Sequence, residues 1–327
     1  MKAAWYEATG AAREVLKVGE RPDPIPASGE VRVRLHFSGV NPSDVKNRQG
    51  LRSSVMPFPW VIPHSDGAGE IDAVGPGVPR ERIGERVWVW NAAWQRHDGT
   101  AAEAVVVPAR QAVALPDSVA LDTGAVLGIP AMTAMHAVIG YGGVRGKSVV
   151  VTGGAGTVGQ YAIQFCKQLG ASQVLATVSG SEKAEMAMAA GADATIDYKT
   201  EPVHQRTMEL TDGAGVDRVI EVDLAANAGV SPLLLKAGGD LVAYGSGPEI
   251  KLNFFPLITR HLSLRFFIVY SLADADRLAA QDQLRALLDA GLVKHRVGFV
   301  TTLEDIASAH EAVESGRTVG SVLVKTR

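Results

Sequence analysis

The chain has 327 residues, of which 46% are hydrophobic and 20% charged, so it is neither disordered nor too short for two domains with separate cores. Its formal net charge of −3 provides no broad positive surface for a phosphate backbone, so nucleic acid is not an expected partner. A single cysteine, Cys166, excludes an intrachain disulfide and a cysteine-rich zinc cluster.

The first third of the chain contains short β-type runs, for example at residues 31–36 and 86–90, separated by clusters of glycine and proline. This pattern predicts a small, strand-rich domain. In the N-terminal segment, charged residues and glycine interrupt every apolar run before it is long enough for a signal peptide. No stretch of about 18 apolar residues occurs elsewhere. We therefore expect a cytoplasmic protein without a membrane partner.

From about residue 121 the pattern changes, because apolar strands now alternate with helical segments. Such alternation predicts an α/β fold with a doubly wound parallel sheet. Two more helices, at about 276–290 and 303–314, precede a final strand at 321–325. We expect these last elements to fold back onto the N-terminal domain.

A glycine-rich turn directly follows the predicted strand at 148–152 and opens a helix. Gly154, Gly156 and Gly159 have the G-x-G-x-x-G spacing, which allows a tight turn, close approach of a pyrophosphate and close helix–strand packing. The helix N-terminus then offers free N–H groups to phosphate. The predicted phosphate-binding residues are Gly154, Ala155, Gly156, Thr157, Val158 and Gly159.

The next predicted strand, at 174–178, has no acidic residue at its tip and is followed by Ser179, Ser181 and Lys183. An acid there would bind a free ribose 2′-hydroxyl, whereas hydroxyls and a lysine suit a 2′-phosphate. We therefore predict NADPH as the cofactor. In the alternative interpretation the serines only cap the next helix, the lysine is solvated and Glu182 binds the ribose.

Several segments together resemble one known family, and they occur in its order along essentially the whole chain. They are VNPSDVKNRQG (40–50), HSDGAGEIDAVGPGV (64–78), GIPAMTAMHAV (128–138), GGAGTVG (153–159) and the terminal GSVLVK. The chain in this respect resembles the zinc-free quinone oxidoreductase (zeta-crystallin-like) branch of the medium-chain dehydrogenase/reductase family. The resemblance implies a strand-rich GroES-like catalytic domain at 1–120 and 265–327, and an NADPH-binding Rossmann domain at 121–264.

Zinc-dependent members of that family place a cysteine ligand where this chain has Asn41. Their histidine ligand corresponds to Ser65, their last ligand falls near Pro130, and His64 lies one position early. The resemblance therefore implies no metal. For His64 we consider a packing role, a place in the substrate pocket and, least favoured, a metal ligand.

Without a Lewis acid, hydride transfer to a quinone or conjugated carbonyl compound is easier than alcohol dehydrogenation, because the negative charge delocalises onto oxygen. The resemblance places Asn41 and Thr133 near the nicotinamide, where Asn41 either donates to the substrate oxygen or only shapes a turn. Many members have a tyrosine in place of Lys46. We predict that Lys46 supplies the contact to that oxygen, or else that it is solvated or paired with an acid.

We also predict cofactor contacts for Tyr198 and Gly245. The alternative functions are an enone or 2-alkenal double-bond reductase and a non-catalytic, crystallin-like NADPH-binding protein.

The apolar segment at 262–270 resembles the last strand of a Rossmann sheet. A bare apolar edge strand invites aggregation, and the resemblance implies that two such strands pair antiparallel across a two-fold axis, so we expect a homodimer.

Overall fold

A computed structural model describes residues 1–327 and divides them into two compact units. The first unit comprises Met1–Ile129 and His295–Arg327, and the second comprises Pro130–Lys294. Both boundaries lie later in the chain than the predicted 120/121 and 264/265. None of the helices combines the length and apolar character needed to cross a lipid bilayer.

The strands are defined here in chain order. They are β1 (Lys2–Trp5), β2 (Lys17–Glu20), β3 (Glu30–Val40), β4 (Asp66–Val74), β5 (Arg86–Val89), β6 (Ala104–Pro108), β7 (Ala112–Ala114), β8 (Ser148–Val151), β9 (Gln173–Val178), β10 (Ala194–Asp197), β11 (Val216–Glu221), β12 (Leu235–Ala243), β13 (Ser263–Phe266), β14 (Val297–Thr302) and β15 (Ser321–Lys325).

The α-helices are likewise named in chain order. They are α1 (Ala12–Val15), α2 (Pro42–Gln49), α3 (Leu121–Gly124), α4 (Met132–Ile139), α5 (Thr157–Gln168), α6 (Ser181–Ala189), α7 (Val203–Leu210), α8 (Leu224–Asn227), α9 (Phe254–Thr259), α10 (Asp274–Asp289) and α11 (Ile306–Glu314). A short π-helical turn, Leu127–Ala131, precedes α4.

The first unit is built on a seven-stranded sheet in the order β14-β15-β3-β4-β5-β7, with β6 also paired to β3. Alternate residues of β3, namely Val31, Val33 and Leu35, are fully buried in its core. A side-chain period of two therefore places one face of β3 in the core, as the alternating sequence predicts.

The second unit contains six parallel strands in the order β10-β9-β8-β11-β12-β13, with the helices in the connections. The strand order reverses between β8 and β11, as in a Rossmann fold. The predicted α/β class, with one parallel Rossmann sheet and one strand-rich domain, is confirmed.

The C-terminal elements differ in part from the expectation. The last strand, β15, pairs antiparallel with β3, and α11 packs on β14 and β15, so these elements return to the first unit as predicted. However, α10 packs against α4, and β13 extends the parallel sheet beside β12. The expectation that α10 also folds back was wrong, because its apolar face packs within the second unit.

A buried arginine joins the parallel sheet to the end of α4. Arg218 is fully buried on β11, and its guanidinium group contacts the Asp240 carboxylate at 2.9 and 2.6 Å. It also donates to the carbonyl groups of Ala137, Val138, Gly140 and Tyr141. The charge is therefore paired, and the guanidinium group also satisfies carbonyl groups at the helix end.

Candidate functional site

The glycine-rich turn follows β8 at the point where the order of the parallel strands reverses. Gly153 has φ +65°, a left-handed conformation that favours glycine. A Cβ atom on Gly159 would clash with the carbonyl oxygen of Gly153, and one on Gly154 would lie 2.7 Å from the Cβ of Ala176. Glycine at these positions is thus required for α5 to start close to the sheet.

Gly156 is the residue immediately before α5, and the space beside its Cα is open. A Cβ atom there would lie within 4 Å of only one atom, the carbonyl oxygen of Gly153 at 3.3 Å. No side chain caps α5. The first turn therefore offers uncapped N–H groups and a partial positive charge to an anion. The predicted residues Ala155, Thr157 and Val158 lie in the same turn.

The structure brings the predicted 2′-phosphate residues together at the end of β9. Lys183 Nζ lies 3.2 Å from Ser179 Oγ, and Ser181 is the exposed first residue of α6. The residue preceding α6 is Gly180, with φ +94°, and no side chain caps the helix. The serines are therefore not capping residues, contrary to the alternative considered above.

The sequence reasoning missed an acidic residue beside this loop. Asp197 ends β10, the strand next to β9, and its carboxylate accepts the Gly180 N–H at 3.1 Å and the Lys199 N–H at 3.0 Å. Tyr198 is half exposed, and its N–H bonds to the carbonyl of Val178 just before the loop. The carboxylate thus already binds backbone groups around the loop.

The ends of β11 and β12 complete this edge of the parallel sheet. Gly245 follows β12, and its carbonyl accepts the Leu224 N–H at 3.2 Å. Glu221, which the sequence reasoning also missed, is buried at the end of β11 and accepts from Thr152 Oγ1 at 2.9 Å. Thr133 is buried in α4 of the same unit. Ligands of doubly wound folds bind at this edge.

In the first unit, Asn41 immediately precedes α2 and is nearly fully buried. Its backbone N–H donates to the Asp44 carboxylate at 2.8 Å, and its side-chain NH2 donates to Asp66 Oδ2 at 2.9 Å. Asp66 Oδ2 also accepts the N–H of Ile129 at 2.9 Å. The amide of Asn41 therefore points its donor at a buried carboxyl group, that of Asp66.

Burial shifts both carboxyl groups near Asn41. Burial raises the pKa of Asp66 well above its ordinary value, and the neighbouring Asp44 raises it further. Burial also raises the pKa of Asp44 to about 7, against the opposing effect of the hydrogen bond from Asn41. These groups therefore hold protons at a pH where a solvated aspartate is ionised.

A cavity of about 570 Å³ lies beside these groups, and all the residues that line it belong to the first unit. Its wall combines aromatic and apolar side chains with a few polar groups, as is common in small-molecule sites. It is lined by Tyr6, Thr9, Asp44, Asn47, Arg52, Ser53, Val55, Met56, Pro57, Phe58, Val61, Pro63, His64, Ala93, Trp94, Gln95 and Arg96.

Lys46, the predicted contact to the substrate oxygen, does not line this cavity. It is exposed on α2, whereas Asp44 and Asn47 of the same helix line the wall. Residues three apart share a helix face, so the face that includes Asp44 and Asn47 meets the cavity and Lys46 faces elsewhere. The structure therefore does not bring Lys46 to the cavity.

His64 borders the cavity and belongs to a buried hydrogen-bond chain. Thr100 Oγ1 donates to the Asp66 carbonyl at 2.5 Å, so it accepts from Ser38 Oγ at 2.8 Å. Because its own proton goes to Thr100, Ser38 Oγ accepts from His64 Nδ1 at 2.8 Å. The other ring nitrogen, His64 Nε2, then accepts from His310 Nε2 at 3.0 Å. Burial lowers the pKa of both imidazoles, to about 3 for His310. His64 is therefore neutral, with no free lone pair for a metal.

No group of three or more His, Cys, Asp or Glu side chains has an arrangement that could hold a metal ion.

Cys166 is fully buried on α5, and burial raises the pKa of its thiol to about 12. It therefore packs as a small apolar residue.

Two family models match the chain. Residues 27–117 match the alcohol dehydrogenase GroES-like domain, and residues 157–289 match the zinc-binding dehydrogenase model. A quinone oxidoreductase of Pseudomonas aeruginosa is 32% identical over 319 residues, which cover 95% of each protein.

Solved structures share the whole fold. The structure of an NAD-dependent alcohol dehydrogenase superposes with a TM-score of 0.90 at 30% identity, over 99% of each chain. The Escherichia coli quinone oxidoreductase, solved in complex with NADPH, superposes with a TM-score of 0.88 at 25% identity, over 99% of this chain and 100% of that one. The chain therefore belongs to the medium-chain dehydrogenase/reductase family of oxidoreductases, and within it to the branch of the quinone oxidoreductases.

Proposed function

We propose that this protein is an NADPH-dependent reductase that transfers a hydride to a quinone or related conjugated carbonyl compound without a zinc ion. The observation that carries the proposal is the open glycine turn before α5, at the strand-order reversal of a Rossmann sheet. The NADPH complex of the E. coli quinone oxidoreductase supports the choice of cofactor.

The residues at this edge of the sheet fit a phosphorylated dinucleotide. The N–H groups of Thr157 and Val158 would hold the pyrophosphate, because they are free at a helix N-terminus. The N–H of Gly156 already donates to the Gly153 carbonyl at 2.9 Å. Lys183 and Ser179 are already 3.2 Å apart and would hold the 2′-phosphate by charge-assisted hydrogen bonds. Bound NADPH supplies the hydride. We propose that Tyr198, Gly245 and Thr133 also line this site.

Zinc independence rests on the chemistry of the donor groups. Asn41 and Ser65 present an amide and a hydroxyl group where zinc-dependent relatives have ligands, and neither matches the thiolate and imidazole groups that zinc prefers. One N–H of the Asn41 amide is bound to Asp66. Its second N–H is the group that we propose as a contact to the substrate oxygen, although Asn41, like Lys46, does not itself line the cavity of the first unit.

The cavity of the first unit is the proposed place for the acceptor's ring. Its volume of about 570 Å³ and its aromatic side chains, Tyr6, Phe58 and Trp94, suit a flat conjugated ring. An enone or 2-alkenal would fit the same cavity, so a double-bond reductase is the alternative enzyme.

A panel of acceptors tests the proposal. NADPH oxidation is measured with 1,2-quinones, 1,4-quinones, enones and 2-alkenals, and alcohols are tested with NAD⁺ and NADP⁺. We expect acceleration by a quinone and none by an alcohol. Alcohol oxidation faster than quinone reduction would contradict the proposal. Tight NADPH binding without turnover of any compound would instead favour the crystallin-like binding protein.

A further inference from the structure

Two nearly buried side chains, Tyr6 and Asp44, meet the same cavity. Tyr6 is 4% exposed and Asp44 is 5% exposed, and both line the wall. Tyr6 is fixed by a pair of backbone hydrogen bonds with Val61, at 3.0 and 2.9 Å. The cavity therefore presents a phenol from the start of the chain and a carboxyl group from α2.

The hydroxyl group of Tyr6 has no protein partner. The only hydrogen bonds of this residue are the two backbone bonds to Val61. The hydroxyl oxygen is not one of the fully buried side-chain atoms that lack a partner. A phenol in a largely apolar wall normally finds a partner when it is buried. Its free donor is therefore available to a molecule in the cavity.

The two groups also influence each other. Burial raises the pKa of Tyr6 to about 12, and the charge of Asp44 contributes to this rise. The phenol thus stays protonated and can donate a hydrogen bond. Asp44 Oδ2 accepts the Asn41 N–H at 2.8 Å, and this hydrogen bond lies at the start of α2.

Hydride transfer to a quinone leaves a negative charge on oxygen, so the reaction needs a hydrogen-bond donor and a proton. We propose that Tyr6 and Asp44 are the acid pair of the reduction site: the Tyr6 hydroxyl holds the acceptor's oxygen and the Asp44 carboxyl group protonates it. The inference rests on the proposed function. It assigns to the first unit the donor that Lys46 does not provide.

The reaction balances with these groups. The hydride carries two electrons to the quinone, which becomes a hydroquinone anion. The O–H bond of the Asp44 carboxyl group breaks, its proton forms the second O–H bond of the hydroquinone, and water returns a proton to the carboxylate. The catalytic acid is best when its pKa is close to the working pH. Asp44, at about 7, meets this condition better than Tyr6.

The surroundings of Asp44 decide how it responds to pH. The charged and titratable groups that face it are Asp66, Arg52, Tyr6 and, beyond the phenol, Arg48. Because Asp44 must carry its proton to act, kcat should fall as the pH rises through about 7.

The test compares Asp44→Asn and Tyr6→Phe with the wild-type enzyme and the best quinone of the panel. The amide that replaces the carboxyl group in Asp44→Asn keeps an oxygen for the Asn41 N–H, so the start of α2 is preserved. The matched control is Asp117→Asn, which alters a fully exposed aspartate of the same unit. Folding is checked by thermal unfolding, and NADPH affinity by quenching of tryptophan fluorescence.

For Asp44→Asn we expect a loss of about 10²-fold in kcat and no remaining fall of kcat above pH 7, with unchanged NADPH affinity. For Tyr6→Phe we expect a loss of about 10-fold or more in kcat, with the pH profile retained. The control should behave like the wild type. A wild-type pH profile in Asp44→Asn, with kcat within about threefold, would leave Asp44 as a helix-capping residue only.

The wild-type enzyme provides a second measurement if a variant does not fold. A kcat that is flat between pH 6 and 8.5 would overturn the role of Asp44, while a fall near 7 supports it. If no acceptor is reduced at all, the proposed function fails together with this inference. If quinones are reduced and neither variant is impaired, only this inference fails.

Discussion

The side-chain NH2 group of Asn41 donates a hydrogen bond to Asp66 over 2.9 Å, inside the first unit. The same carboxyl group also accepts the N–H of Ile129 at 2.9 Å. Burial raises the pKa of Asp66 well above its ordinary value, so the group is held as a neutral acid rather than as a metal-directed carboxylate.

The first prediction concerns metal content. Protein purified without added zinc should contain no stoichiometric zinc, and a chelator should leave kcat/KM for the best quinone unchanged. The reason is that Asn41 and Ser65 stand where the relatives have strong ligands. Elemental analysis checks this expectation. One tightly held zinc ion per chain, with activity lost on chelation, would contradict it.

The second prediction concerns cofactor choice. Lys183→Ala should reduce the preference for NADPH over NADH by about 10- to 150-fold in kcat/KM, because a charge-assisted contact to the 2′-phosphate is lost. Lys236→Ala is the control, since this partly exposed lysine lies at the start of β12, at the opposite edge of the parallel sheet. An unchanged ratio in Lys183→Ala, or equal use of both cofactors by the wild type, would count against the assignment.

The third prediction concerns stability. Arg218→Met should lower the free energy of unfolding by about 3–5 kcal/mol, because it leaves Asp240 and several carbonyl groups without their partner. Urea unfolding measures the change. Arg285→Met, which breaks an exposed pair with Asp289, should cost about 1 kcal/mol or less. Equal effects of the two substitutions would show that the buried network is not stabilising in this way.

The fourth prediction concerns assembly through the segment 262–270. β13 is the edge strand of the parallel sheet, and Phe266 is 57% exposed on it. Phe267 is unsuitable for replacement by proline, because its N–H bonds to Ala243 within the chain. We expect a dimer by light scattering at micromolar concentration and a monomer for Phe266→Glu. A wild-type monomer, or a dimer unaffected by this substitution, would rule out pairing through β13.

Local patterns in the sequence were sufficient for much of the second unit. The strand before Gly153, the helix after Gly156 and the serines at the end of β9 each follow from a few neighbouring residues. Asp197 and Glu221 escaped notice because their partners, Gly180 and Thr152, lie in the turns that follow other strands. Pairing between distant segments leaves no local signal.

The groups that we propose as the acid pair of the first unit show the same limit. The sequence offered a solvated Lys46 as one alternative and gave no sign that its neighbours Asp44 and Arg48 are both buried. Arg48 is bound by Gly10 and Glu314, which lie far away in the chain. Tyr6 reaches the cavity only through its bridge to Val61. No local pattern around Lys46 points to a side chain from the start of the chain.

The central claim is direct hydride transfer from NADPH to a conjugated carbonyl acceptor. Its most direct test is the anaerobic rate of NADPH oxidation with the best quinone, using cofactor deuterated at either face of nicotinamide C4. We predict oxidation that requires the acceptor, consumes one NADPH per quinone reduced and slows with one of the two deuterated forms. NADPH that binds but is not oxidised by any acceptor would contradict the account.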